Sequence, residues 1–340
     1  MRKTKYTLFV AAAIVYVAFA VYLYRYYFKG FNAPRLRDLF VVSTSLGSLG
    51  CYLLSRRWVA GFAESIFAGA LYGFGPFVLG LAKFHPTAGL LAAAIPWLFC
   101  PAAFGPKAGW RWLRVPFSVL PFLAIVLFFQ AAAYFRLYPI PIQLKLHAAD
   151  VAGLFTPLVA AERRMTLLGF YHIPLTGLIV GFAMLIAARR RKIMIILAVA
   201  TILTFCDSLF AISPIIWLAI SMLCGSVMIG AGMQGIVCAG VADRKWILTA
   251  SAVMGTLAIA TLLPAIKCFQ TFASLGSGAE RLFIETAEMY ILGAVTMAVL
   301  FFVVRANLRM HVLRRILLCA AMGLDIFFSA TVVIDKILFP

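Results

Sequence analysis

Apolar residues in this chain come in long unbroken runs, and polar residues gather in the short gaps between them. The runs lie near 7–24, 39–54, 58–82, 87–104, 115–135, 166–188, 193–212, 214–241, 246–266, 286–304 and 316–338. A helix needs about 20 apolar residues to cross the hydrocarbon core of a bilayer, and the runs cluster around that length. They are continuous rather than alternating, so they do not read as strands of a membrane barrel. In lipid each backbone polar group must find its partner inside the protein, which leaves the helix as the spanning element. The pattern predicts an all-α fold: a polytopic transmembrane helix bundle of about 11 spans, with a range of about 10–12. Spans of that number leave roughly 120 residues for loops and tails. Residues 1–340 are therefore expected to form a single integral membrane domain with no soluble domain.

Composition agrees with the pattern and adds an orientation. Hydrophobic residues make up 64% of the 340 residues, and 30 Lys and Arg stand against 11 Asp and Glu. In a soluble chain a net charge of +19 would point to nucleic acid. Here the basic residues occupy the gaps between apolar runs, as in membrane loops that face anionic lipid on the cytoplasmic side. No basic run is interleaved with exposed aromatics as nucleic-acid binding would need, so nucleic acid is not an expected partner. Counted over alternate gaps, 18 of the 30 basic residues fall on the side that carries the N-terminus. The short run Arg189-Arg190-Arg191-Lys192 is the strongest single anchor. The expected location is a bacterial cytoplasmic (inner) membrane, N-terminus inside and C-terminus outside. Arg2, Lys3 and Lys5 precede a first run too long for a signal peptide, and that run lacks a small-residue cleavage site, so it is read as a retained span.

The longest gap, 136–165, is expected as an outer interfacial or re-entrant segment. It carries Lys145, His147 and Asp150. Were it a span, the count would rise to about twelve and the later loops would change sides. The seven cysteines form no CxxC pair and lie mostly inside apolar runs, where Cys packs as a small residue. Four scattered histidines, and the absence of HExxH, GxSxG, P-loop and paired acidic motifs, lead to an expectation of no cofactor and no metal.

Two packing signals stand out. The third run has small residues at every fourth position, Gly61, Ser65, Gly69 and Gly73. The eighth has Ala231, Gly235 and Ala239, with Gly225, Gly230 and Gly232 nearby. Small residues on one helix face let a second helix approach closely. Prolines at Pro76, Pro96, Pro116, Pro121, Pro174 and Pro264 predict kinks or breaks, and in transporters such breaks line substrate sites.

Against so apolar a background, ionisable residues inside the runs are the functional candidates. A charge at mid-bilayer costs about 2.5–3.5 kcal/mol on insertion scales. Glu64, His172, Asp207 and Asp325 lie inside runs, and Glu285 and Glu288 open the tenth. At about 1.5 Å per residue, Asp325 is about 15 Å beyond Arg315, near the midplane, and Glu64 is about 10 Å beyond Arg57. His172 and Asp207 come out at a similar level in the outer leaflet, as a proton relay or as one satisfied hydrogen bond. Glu285 and Glu288 share a helix face, as an outer cation or proton entry or as acids suited to a first helical turn.

Ser55-Arg56-Arg57-Trp58 and Arg189 to Lys192, followed by Gly109-Trp110-Arg111-Trp112 and Asp243-Arg244-Lys245-Trp246, admit a weak two-fold internal repeat. Residues 169–266 resemble the major facilitator superfamily in their Gly-rich spans and in Ala187-Ala188-Arg189-Arg190-Arg191-Lys192. The Asp243-Arg244 pair follows the wrong span for that family's motif, so no family residue is carried over. The leading expectation is a secondary transporter or flippase, open to proton coupling, with the lipid bilayer and a small-molecule or lipid substrate as partners. The alternatives are a membrane-embedded enzyme acting on a lipid or lipid-linked sugar through Lys145, His147 and Asp150, and a non-catalytic subunit of a membrane complex.

Overall fold

The structure is a computed structural model that describes residues 2–27, 34–58, 61–84, 86–104, 114–135, 176–181, 191–206, 212–237, 244–267, 278–306 and 311–338. Among these residues the regular structure is helical throughout. In chain order the helices are α1 (Arg2–Tyr27), α2 (Pro34–Trp58), α3 (Phe62–Gly73), α4 (Pro76–Phe84), α5 (Pro86–Leu98), α6 (Cys100–Phe104) and α7 (Arg114–Tyr134). They continue with α8 (Arg191–Phe205), α9 (Pro214–Val237), α10 (Arg244–Lys267), α11 (Gly278–Arg305) and α12 (His311–Leu338). A further helical stretch covers 176–181. Pro34, Pro76, Pro86 and Pro214 each open a helix, where the missing N–H is no loss and the fixed φ suits the first turn. Among the described residues, five stretches are long and apolar enough to cross a membrane: Tyr6–Leu23, Phe62–Ala82, Pro214–Gly235, Lys245–Leu263 and Phe283–Arg305. Four shorter apolar helices accompany them. The all-helical, membrane-spanning character read from the hydrophobic pattern is thus present.

The chain divides into two compact units. The first comprises Met1–Leu146 with Arg191–Gly230, and the second His147–Arg190 with Ala231–Pro340. The change of unit falls inside α9, whose membrane-length window is 94% buried, against 17% for that of α1. A helix that is apolar all round and covered all round belongs to a core, and one whose sides are bare faces lipid.

In the first unit α2 packs against α1, α3, α4, α5 and α6. Its contact with α3 is the small-residue seam expected from the sequence. A Cβ on Gly73 would overlap the Ser48 side chain and the Thr44 carbonyl, and one on Gly69 would overlap the Ser48 carbonyl and the Tyr16 hydroxyl. The two backbones therefore approach to a distance that only glycine allows. Gly230 of α9 does the same against α3, where a Cβ would lie 2.8 Å from the Glu64 carbonyl oxygen. From the far side of the seam, the Tyr16 hydroxyl of α1 donates to the Ile66 carbonyl at 2.8 Å.

Two of the expected spans are broken. The third is interrupted at Phe74–Gly75, because Pro76 has no N–H to continue α3 and disfavours helical geometry at the residue before it. The fourth is interrupted at Phe99, between α5 and α6. Pro96, inside α5, withdraws the N–H that would have bonded the Ala92 carbonyl one turn earlier. The Tyr72 hydroxyl of α3 takes its place and donates to that carbonyl at 2.6 Å. Trp97 beside it donates its indole N–H to the Leu46 carbonyl at 3.0 Å, over the gap left by Gly50, where a Cβ would come within 2.8 Å of the same nitrogen.

In the second unit α10 and α11 form the largest contact. The Ser251 hydroxyl donates to the Ala294 carbonyl at 3.0 Å, and Met254, Ala258 and Tyr290 make a small buried core with Ile179, Leu257 and Ala294 around it.

Tyr72→Phe removes the donor to a buried carbonyl and is expected to destabilise the folded protein by about 1–3 kcal/mol, read by unfolding in mixed micelles. Gly73→Ala should lower the melting temperature clearly, because backbone atoms of α2 must move. Gly255, with nothing within 4 Å of a Cβ, is the control: Gly255→Ala should leave it unchanged or raise it.

Candidate functional site

On α12 the residues Leu318, Met322, Asp325 and Ile326 are buried, and Leu324, Phe327 and Phe328 around them are exposed. The spacing i, i+4, i+7, i+8 is one face of a helix. Asp325, 1% exposed, is thus the single charge-bearing residue on an apolar inward stripe. Its partner comes from the stretch 176–181: the Thr176 hydroxyl, itself 1% exposed, donates a hydrogen bond to Oδ2 of Asp325. Among the described residues that hydroxyl is the one group bonded to the carboxyl, and no basic side chain is paired with it.

Two glycines hold Thr176 in position. A Cβ on Gly293 of α11 would meet Thr176 Cγ2 at 3.0 Å, so α11 lies directly against the threonine. A Cβ on Gly232 of α9 would fall 2.6 Å from the Val180 carbonyl, so α9 lies backbone to backbone on the same short helix one turn further along. Small residues set the helices close, and closeness fixes where the hydroxyl points. Among the described residues, a charged carboxylate there would have one neutral donor and no paired counter-charge. Such a group is stable when it carries a proton or holds a cation.

The other candidates are distributed. Glu64 is buried at 1% exposure in the first turn of α3, in the first unit, where an acid also suits the positive end of the helix. Asp325, Glu285 and Glu288 are in the second unit. Glu285 is half-buried and Glu288 exposed. Their helix α11 begins at Gly278, about two turns before the start expected at 286. That corrects the reading of these acids as a first helical turn: the helix dipole acts within its terminal turn, and both residues lie beyond it. His172 and Asp207 lie outside the described residues, as do Lys145, His147 and Asp150 of the segment 136–165. Among the described residues no group of three His, Cys, Asp or Glu is placed to hold a metal. The described cysteines, Cys51, Cys100, Cys206, Cys224 and Cys319, are free thiols.

Thr176 was not singled out by its sequence. A threonine in an apolar run is cheap, because its hydroxyl can bond its own helix, so nothing marks one as special. No protein-family model matches the chain, and comparisons with curated proteins and with solved structures return no match.

Proposed function

We propose that the chain is a proton-coupled secondary transporter or flippase for a small-molecule or lipid substrate, with Asp325 as the proton-binding group and Thr176 as its positioning residue. The observation that carries the reading is the buried Asp325 carboxyl whose described hydrogen-bond partner is a neutral hydroxyl. A carboxyl in such a place changes its interaction with the protein when its proton comes and goes, which is what a coupling group must do. Among the described residues two oxygen-bearing side chains meet there, fewer than the shell of about six oxygens that a hard metal cation takes, so a proton is the favoured occupant. The breaks at Phe74–Gly75 and Phe99 support the same reading, since discontinuous helices are a feature of transporter folds. The proposal includes about 11 spans in a bacterial inner membrane, with the N-terminus cytoplasmic and the C-terminus outside, on the strength of the basic loops. Asp207 and Glu64, with His172 as relay, complete the proposed proton pathway.

The test begins by comparing metabolites and lipids of cells with and without the chain, to find the compound whose distribution changes. Flux of that compound is then measured in proteoliposomes under an imposed pH gradient. Wild type is expected to respond to the gradient. Asp325→Asn should abolish the response at unchanged expression and unchanged melting behaviour. Thr176→Val should reduce it roughly tenfold, as for loss of a hydrogen bond to a charged group, and move the pH midpoint of flux. Gradient-driven flux in Asp325→Asn equal to wild type would overturn the assignment.

A further inference from the structure

The end of α2 carries two exposed arginines, Arg56 and Arg57, in its last turn, followed by Trp58. Neither guanidinium hangs free. Nε of Arg57 donates to the Ala103 carbonyl of α6 at 2.8 Å, which leaves its two terminal nitrogens directed elsewhere. Arg56 stands over the Phe62 ring, 6.0 Å from its centroid, within the range of a cation–π contact. Phe62 is itself held edge-on to Tyr52 with ring centroids 6.2 Å apart. Trp58 packs edge-on against Phe99, at 6.1 Å, where α5 gives way to α6. Each of these long, mobile side chains is thus held by a neighbour, which removes much of the ordering cost of binding a ligand.

The charge is uncompensated along the sequence. No Asp or Glu occurs between Asp38 and Glu64, and Glu64 is buried. Arginines beside an indole at the end of an apolar helix are the side chains expected at the level of lipid headgroups. An ordinary snorkelling arginine at such a level is solvated and free to move. Here an aromatic ring holds Arg56 and a carbonyl holds Arg57.

We propose that Arg56 and Arg57, with Phe62 and Trp58 as apolar walls, form a binding site for the headgroup phosphate of an anionic phospholipid. The planar guanidinium forks match phosphate oxygens, and the rings cover the glycerol and first acyl carbons. Because Arg57 also ties α2 to α6, a bound lipid braces the part of the first unit that contains the broken helix α5–α6. The site is independent of the proton-coupling proposal and stands or falls without it.

The full chain, purified in a neutral detergent, is titrated with phosphatidylglycerol or phosphatidylcholine and the bound lipid counted by native mass spectrometry. Wild type should retain phosphatidylglycerol in preference. Arg56→Gln should weaken that binding about fivefold and Arg56→Gln with Arg57→Gln roughly 25-fold, at about 1 kcal/mol for each basic residue near a lipid surface. Arg56→Gln leaves the Arg57–Ala103 hydrogen bond in place, so it carries the test should the double variant fail to fold. Free inorganic phosphate in large excess should not displace the lipid. Displacement would reassign the site to soluble phosphate and overturn the proposal, as would wild-type binding of phosphatidylglycerol by Arg56→Gln.

Discussion

The constraint on which the described fold depends is that a backbone carbonyl in a membrane must have a donor. Water is absent, so each departure from regular helix has to be answered from within the protein. Pro96 is the clearest case. Its ring takes away the hydrogen bond of the Ala92 carbonyl, and the Tyr72 hydroxyl from another helix returns it. The break at Phe74–Gly75 lies two residues beyond that same tyrosine, so the two interrupted spans meet at one point of repair. The prolines therefore decide more than the directions of the helices. Pro96 frees the acceptor through which α3 bonds α5.

A second consequence of lipid as solvent is that apolar area gives helices no reason to prefer one another over the bilayer. Close approach has to supply the preference, and close approach needs small residues. Gly69 and Gly73 bring α3 onto α2, Gly230 brings α9 onto α3, and Gly232 and Gly293 close α9 and α11 around the stretch 176–181. In the first unit this seam brings hydroxyls and carbonyls of neighbouring helices into contact. In the second it delivers one threonine to one aspartate. The same device serves packing in one place and positions a titratable group in the other.

The two polar features with functional content are opposite in kind. Asp325 is covered and, among the described residues, bonded to a neutral hydroxyl. Arg56 and Arg57 are exposed and anchored. The first suits a coupling ion that comes and goes. The second suits a lipid that stays.

Much of this was legible in the sequence because it is local. Continuous apolar runs determined that the chain is helical and built for a membrane. Spacing of four determined that Gly69 and Gly73 share a face with Ser65, and that face proved to be a contact seam. Burial of Glu64 and Asp325 followed from their positions inside apolar runs. Pro96 announced an orphaned carbonyl, but the identity of its donor did not follow. Thr176 was invisible as the partner of Asp325, because 149 residues separate them and a threonine in an apolar run carries no mark of its own. The start of α11 was misplaced for a related reason: its first turns are less apolar than its span, and hydropathy marks where a helix enters lipid rather than where it begins. Periodicity and hydropathy report what each residue does within its own helix. Which polar group on one helix answers which need on another depends on how helices cross, and that is a property of the packed structure alone.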